Sequence, residues 1–175
     1  MGFFSKKSIT VNNLATSLAD MVLQSNWLAS FSHLLSEMGE EPTITPDQKK
    51  EIIAVEMLTT VYAIQKGLSN NLGRTDVLDA FHMSVYTRIS KYPYERKKFE
   101  EFLNARYEAY YKILNAKGEN MMLHFGKQFS DFFRNRDTKD TDLILNVSIV
   151  KMVGDTMEIR ERFLKEVLAK FELIK

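Results

Sequence analysis

The residues best suited to chemistry are Asp79, His82 and Tyr86, whose spacings of three and four align them on one face of a helix. A carboxylate beside an imidazole fixes the tautomer of the ring and raises its basicity, which suits proton transfer or metal ligation. Helical bundles build metal sites from such pairs, drawing several of them from facing helices. Glu56 offers a further carboxylate from another predicted helix. Asp79, His82 and Glu56 are therefore the candidate metal ligands of this sequence.

A structural interpretation competes with this metal site. A single carboxylate–histidine pair has low specificity, and a helix N-terminus stabilised by Asp79 with His82 at a partly exposed boundary is the better explanation of it. Glu56 falls with Lys49 and Thr60 on the least apolar strip of its helix, which predicts exposure to solvent. The sequence contains no phosphate-binding glycine loop, nucleophile elbow or His-Glu-x-x-His motif. It therefore predicts no cofactor and favours a protein that is not an enzyme.

Composition limits the partners. The chain has 175 residues, with 24 Lys and Arg against 23 Asp and Glu, and no cysteine. A protein that binds the phosphate backbone of nucleic acids usually carries a surplus of basic residues. The near balance of charges therefore argues against a nucleic acid as the partner. The stretch 92–112 mixes aromatic and basic residues as single-strand binders do, yet core packing explains its aromatic spacing better. Without cysteine, disulfides and thiolate metal sites are excluded.

The N-terminal sequence bears on location. Residues 8–36 carry one formal charge, Asp20, but 12 of them are Ser, Thr, Asn or Gln, so neither a signal peptide nor a membrane span is indicated. We therefore expect a cytoplasmic protein without a membrane anchor. Weak contact of Phe3 and Phe4 with a membrane surface is the exception that the sequence allows. Residues 1–7 are expected to form a flexible N-terminal segment of one helical domain, 1–175.

Helical periodicity continues along most of the chain. It predicts a first helical region over residues 10–38, with a break at Ser25 or Asn26, and a second helix that starts in a capping box of Thr45 and Gln48. A third helix is expected to start at a cap of Thr75 or Asp76 and to end before Pro93. A fourth follows over about 94–116, and a fifth covers the phenylalanines that follow it.

The C-terminal part contains one ambiguity. Residues 143–153 include a β-branched run that is also typical of a strand. No comparable second strand is present to pair with it, so a long C-terminal helix, with a kink at Gly154 as an option, is the better interpretation. The sequence predicts an all-α fold: a single-domain bundle of five to seven helices, most of them antiparallel to their neighbours, with a long C-terminal helix.

The low charge of the first helical region points to burial, either inside the bundle or against another chain. Its candidate partner-binding residues are Trp27, Leu28, Phe31 and Leu35. The function predicted first is a non-enzymatic helical protein-interaction module, such as an adaptor, regulator or inhibitor-like partner, that binds another protein or its own copies. The alternative is a helical bundle that binds a metal or small molecule around Asp79 and His82, with enzymatic activity as an extension of that function.

Overall fold

The fold is known from a computed structural model that describes residues 6–68, 73–90, 93–116, 120–135 and 143–174. These ranges contain seven α-helices and two short strands. The helices are α1 (Val11–Leu23), α2 (Trp27–Glu37), α3 (Pro46–Gly67), α4 (Arg74–Ile89), α5 (Pro93–Leu114), α6 (Met121–Arg134) and α7 (Leu143–Lys170), and the strands are β1 (Lys7–Thr10) and β2 (Phe171–Ile174). The predicted all-α bundle with a long C-terminal helix is confirmed.

The central helix is α3, which starts as the sequence predicts. The Thr45 hydroxyl accepts from the Gln48 backbone, and the Gln48 side chain accepts from the Thr45 backbone. Most residues of α3 after Lys50 are buried, because it lies between two apolar clusters. One cluster is formed mainly with α1 and α4, and the other with α2, α6 and α7.

The breaks between helices follow the sequence closely, with one correction. The first helical region divides into α1 and α2, and Asn26 is the N-cap of α2. Gly39, at φ +76°, supplies the left-handed residue that ends α2. The predicted cap at Thr75 or Asp76 is wrong, because α4 begins at Arg74 after Gly73. Asp76 instead lies in the first turn of α4, where the positive end of the helix dipole stabilises its negative charge.

The C-terminal ambiguity is settled in favour of a helix, since α7 is continuous from Leu143 to Lys170 through Gly154. The part of the chain that the structure describes contains no helix that is both long and apolar enough to cross a bilayer.

Two strands that the sequence did not predict join the ends of the described chain. β1 and β2 pair in parallel, with Lys7 opposite Phe171 and Thr10 opposite Ile174. Strands of four residues are too short to show a clear alternation beside long helical stripes. Of the N-terminal segment predicted to be flexible, residues 1–5 lie outside the described ranges, whereas Lys7 is held in β1.

Candidate functional site

The structure does not bring the three predicted metal ligands together. Asp79 is exposed on α4. The half-buried His82 ring has its Nδ1 2.8 Å from the Leu78 carbonyl oxygen and its Nε2 3.3 Å from the Tyr107 hydroxyl. Burial lowers the pKa of His82, which favours the neutral ring. Within the described ranges, no three His, Asp or Glu side chains group closely enough to hold a metal ion. His82 therefore has the structural role of a satisfied boundary histidine.

Glu56 is buried, so the expectation that it faces solvent is wrong. Its side chain is 1% exposed, and its Oε2 accepts a hydrogen bond from Arg160 Nη2 at 2.8 Å. Arg160 extends from α7 and also donates to the Thr60 hydroxyl and to the Met21 carbonyl oxygen. The strip of α3 that looks least apolar in sequence is covered by this arginine. A buried ion pair thus connects α3, α7 and the end of α1.

Burial sets the electrostatics of this pair. Loss of hydration raises the pKa of Glu56 to about 7, because it outweighs the attraction of Arg160 and a contribution from the Ser25 hydroxyl. The same desolvation lowers the pKa of Arg160. Glu56 Oε1 has no hydrogen bond of good geometry to a described residue, although Ser25 lies close enough to favour the charged carboxylate. Apart from the Ser25 hydroxyl, the described residues offer this buried oxygen no donor.

A Glu56→Gln variant is expected to flatten the dependence of stability on pH. Between the unfolded pKa of 4.5 and the folded pKa of about 7, the folded chain holds a proton that the unfolded chain has released. The contribution of Glu56 to the free energy of unfolding is therefore present at low pH and falls by about 2–3 kcal/mol as pH rises from about 5 to about 8. Urea denaturation of both chains across this range isolates Glu56 in the difference between the two curves. Parallel curves would contradict the assignment.

A second ion pair joins α3 and α5. Arg106 donates to both carboxylate oxygens of Glu51, with its Nε 2.8 Å from each. Its guanidinium lies over the rings of Phe102 and Phe132, at 4.7 and 3.8 Å from their centroids. Bidentate pairing with aromatic stacking holds an arginine in one geometry. This pair fixes the packing of α5 and α6 on α3 and leaves little freedom for chemistry.

The predicted partner-binding residues lie mostly inside the bundle. Phe31 is fully buried, and Trp27 and Leu35 are 7% and 3% exposed. The Trp27 indole nitrogen donates to the Thr156 hydroxyl at 3.2 Å. Leu28 alone is half-buried and borders a cavity. The structure thus follows the alternative of burial within the chain's own bundle, and a partner role for these residues stays a prediction that requires α2 to move.

An exposed apolar surface lies instead on the first half of α7. Leu143, Ile144 and Val147 are 58%, 61% and 49% exposed. Gly154, two turns beyond Val147, is also exposed, and a Cβ placed there would have no atom within 4 Å. Large apolar side chains that recur on one exposed helical face indicate an interaction surface more often than isolated ones do. We call Leu143, Ile144, Val147, half-buried Val150 and Gly154 the α7 face.

A pattern in the sequence of α7 predicts that Arg160 is buried, although the helical-wheel argument for Glu56 did not use it. Ile149, Val153, Thr156, Arg160 and Leu164 recur at spacings of four, three, four and four. All five are buried in the structure. An arginine within an otherwise apolar stripe requires a buried anionic partner. That requirement points to the carboxylate of the helix against which the stripe packs.

Comparisons with protein-family models, with curated proteins and with solved structures give no significant match to this chain.

Proposed function

We propose that the chain is a non-enzymatic helical protein-interaction module and that the α7 face binds a second copy of the chain. The observation that carries this proposal is the set of three large apolar side chains about half exposed within the first five residues of α7. Exposed apolar area costs solubility, and a partner that covers it recovers the hydrophobic free energy.

The spacing of the α7 face favours its own copy as the occupant. Leu143, Val147, Val150 and Gly154 recur at four, three and four, the spacing of a coiled-coil seam. If two such helices pair antiparallel about a point between Val147 and Val150, Leu143 of each copy lies opposite Gly154 of the other. A large side chain then meets a position without a side chain. A parallel pair would place glycine against glycine and leave a gap.

Gly154 supports this arrangement independently. Glycine inside a helix destabilises it by about 1 kcal/mol relative to alanine. Within the described chain nothing crowds this position, so no contact of the single copy explains the glycine. Close approach of a second helix requires a residue of this size. The second copy therefore gives Gly154 a role that the isolated chain lacks.

The small size of the α7 face implies weak association. Interfaces that are stable at nanomolar concentration usually bury roughly 800 Å² per partner, which five residues do not supply. We therefore expect a dissociation constant of about 10–500 µM, as in transient interactions. A twofold symmetric contact of this kind closes as a dimer and does not extend into a filament.

Val147→Glu is expected to abolish self-association while leaving the helical content unchanged. Val147 is 49% exposed, so glutamate there is solvated in the single copy, but in the pair it faces the partner's Val150 and loses water. Batch light scattering at about 1 mM chain, above the whole expected range of dissociation constants of about 10–500 µM, measures the mass. The matched control is Met83→Glu on α4, which is 56% exposed and outside the α7 face.

The control variant should keep the mass of the wild-type chain, and Val147→Glu should give a single chain of 20.3 kDa. If Val147→Glu has the same mass as the wild-type chain, the α7 face is not the contact.

We also propose that the protein is cytoplasmic, because residues 8–36 are too polar for a signal peptide.

A further inference from the structure

A cavity of about 400 Å³ lies where the end of α1, the start of α2, the first half of α3, the end of α4 and α5 meet. Its walls are mainly apolar, and Leu28, Ile53 and Phe99 are among them. The volume falls within the range of small-molecule sites. The cavity is separate from the α7 face, so an inference about it does not depend on the proposed function.

The inner end of the cavity presents the carboxyl group of Glu56. This side chain is 99% removed from solvent, and its Oε1 has no hydrogen bond of good geometry to a described residue. Oε2 is held by Arg160, which fixes the orientation of the group. A buried oxygen without a partner costs free energy that a ligand donor would recover. The Ser25 hydroxyl borders the cavity beside Glu56, and a ligand donor would share the carboxyl group with it.

The outer end of the cavity presents a cation. Lys49 lies two turns before Glu56 on α3, about 10 Å away along the helix axis. Two other cations border the cavity, and both are paired: Arg88 with Asp20 at 2.5 Å and Lys50 with Asp47 at 2.9 Å. Lys49 is exposed and forms no ion pair with a described residue. Lys49 therefore remains available to an anionic group at this end.

We infer that the cavity binds a small hydroxylated carboxylate about 10 Å long, with its carboxylate at Lys49, its apolar body between Leu28, Ile53 and Phe99, and its hydroxyl at Glu56. Each part of the ligand meets a group of matching chemistry in the order in which the cavity presents them.

A hydroxyl suits the inner end better than an ammonium group. Arg160 already places one positive charge beside Glu56, and a second buried cation there would be repelled. A hydroxyl donates to the ionised carboxylate and accepts from the protonated acid, so it pairs with Glu56 in both protonation states. A ligand with a plain apolar end would leave Oε1 unpaired.

The test uses 3-(4-hydroxyphenyl)propanoate as the probe and 3-phenylpropanoate as the analogue without the hydroxyl. Amide chemical shifts in ¹H–¹⁵N NMR spectra of the chain, followed at residues that border the cavity such as Ile53 and Phe99, report its occupancy by either compound. The wild-type chain should give a saturable change with a dissociation constant of about 1 mM or lower. The analogue without the hydroxyl should bind about tenfold more weakly, because it leaves Glu56 Oε1 unpaired.

The variant Lys49→Ala tests the outer end and should weaken binding of the probe by about fivefold. Its matched control is Lys165→Ala, an exposed lysine on α7 that does not border the cavity, which should leave binding unchanged. No saturable change up to about 10 mM probe, ten times the expected dissociation constant, would overturn the inference. Equal binding of the two compounds would also overturn it, as would unchanged binding in Lys49→Ala.

Discussion

Replacing Arg160 with methionine is expected to lower the free energy of unfolding by about 3–5 kcal/mol at about pH 9, where Glu56, whose pKa is about 7, is ionised in the wild-type chain. The change removes the guanidinium that is hydrogen-bonded to the buried Glu56 carboxylate and leaves the Thr60 hydroxyl and the Met21 carbonyl without their shared donor. A buried charge without a partner costs more than the ion pair contributed, because the carboxylate cannot recover its hydration. Urea denaturation followed by circular dichroism measures the loss.

Two further variants make this result specific. Arg162→Met changes an arginine on the same helix whose side chain is 64% exposed, and it should alter stability by less than about 0.5 kcal/mol. The double variant Glu56→Leu with Arg160→Met removes both charges and should recover most of the loss, since a well-packed apolar pair often replaces a buried ion pair without penalty. A loss below about 1 kcal/mol in Arg160→Met would contradict the structural role of the pair.

Gly126→Ala is expected to destabilise the chain by about 2–3 kcal/mol or more, because α6 and α7 would have to separate. A Cβ at Gly126 would lie 2.5 Å from the Asn146 carbonyl oxygen, which is backbone and does not move out of the way cheaply. The Ser130 hydroxyl, hydrogen-bonded to the Asn146 side chain, holds the two helices in this close approach. Thermal denaturation at low concentration measures the change.

The matched control is Gly154→Ala on α7. It adds the same methyl group inside a helix, but no atom lies within 4 Å of the new Cβ. In dilute solution this variant should be more stable than the wild-type chain by up to about 1 kcal/mol, which is the difference in helix propensity. At high concentration it should self-associate less, because the methyl fills the space that faces the partner's Leu143. Gly126→Ala with wild-type stability would show that the two helices are not so closely packed.

Local patterns predicted most of the helical fold. The capping box of Thr45 and Gln48 acts through a few neighbouring residues, so its outcome can be derived from the sequence alone. The helix over residues 143–170 was also predictable, because a β-branched run needs a partner strand to become a sheet. The first of these predictions depends on neighbouring residues, and the second depends on a survey of the whole sequence for a second strand.

The candidate site was less predictable, because it depends on contacts between distant segments. Glu56 looked exposed on a helical wheel, since the wheel does not show that Arg160, 104 residues later, covers it. The α7 face was hidden for the same reason: Val147 and Val150 look like core residues until the structure shows which side of α7 packs on the bundle. The β1–β2 pair joins the two ends of the described chain, and no local pattern carries that pairing.

The central claim is that α7 pairs antiparallel with α7 of a second copy, and spin-label distances test it most directly. Because the chain has no cysteine, Asp155→Cys and Lys165→Cys each allow one nitroxide per chain at an exposed position. In an antiparallel pair centred between Val147 and Val150, the distance between equivalent residues grows by about 3 Å per residue from the centre.

Double electron–electron resonance at a few hundred micromolar, where roughly half or more of the chains should be paired, should therefore give about 20 Å for Asp155→Cys and about 50 Å for Lys165→Cys. Similar short distances at both positions would indicate a parallel pair and contradict the proposed geometry. A signal without any distance between labels would show that the chain does not self-associate through α7.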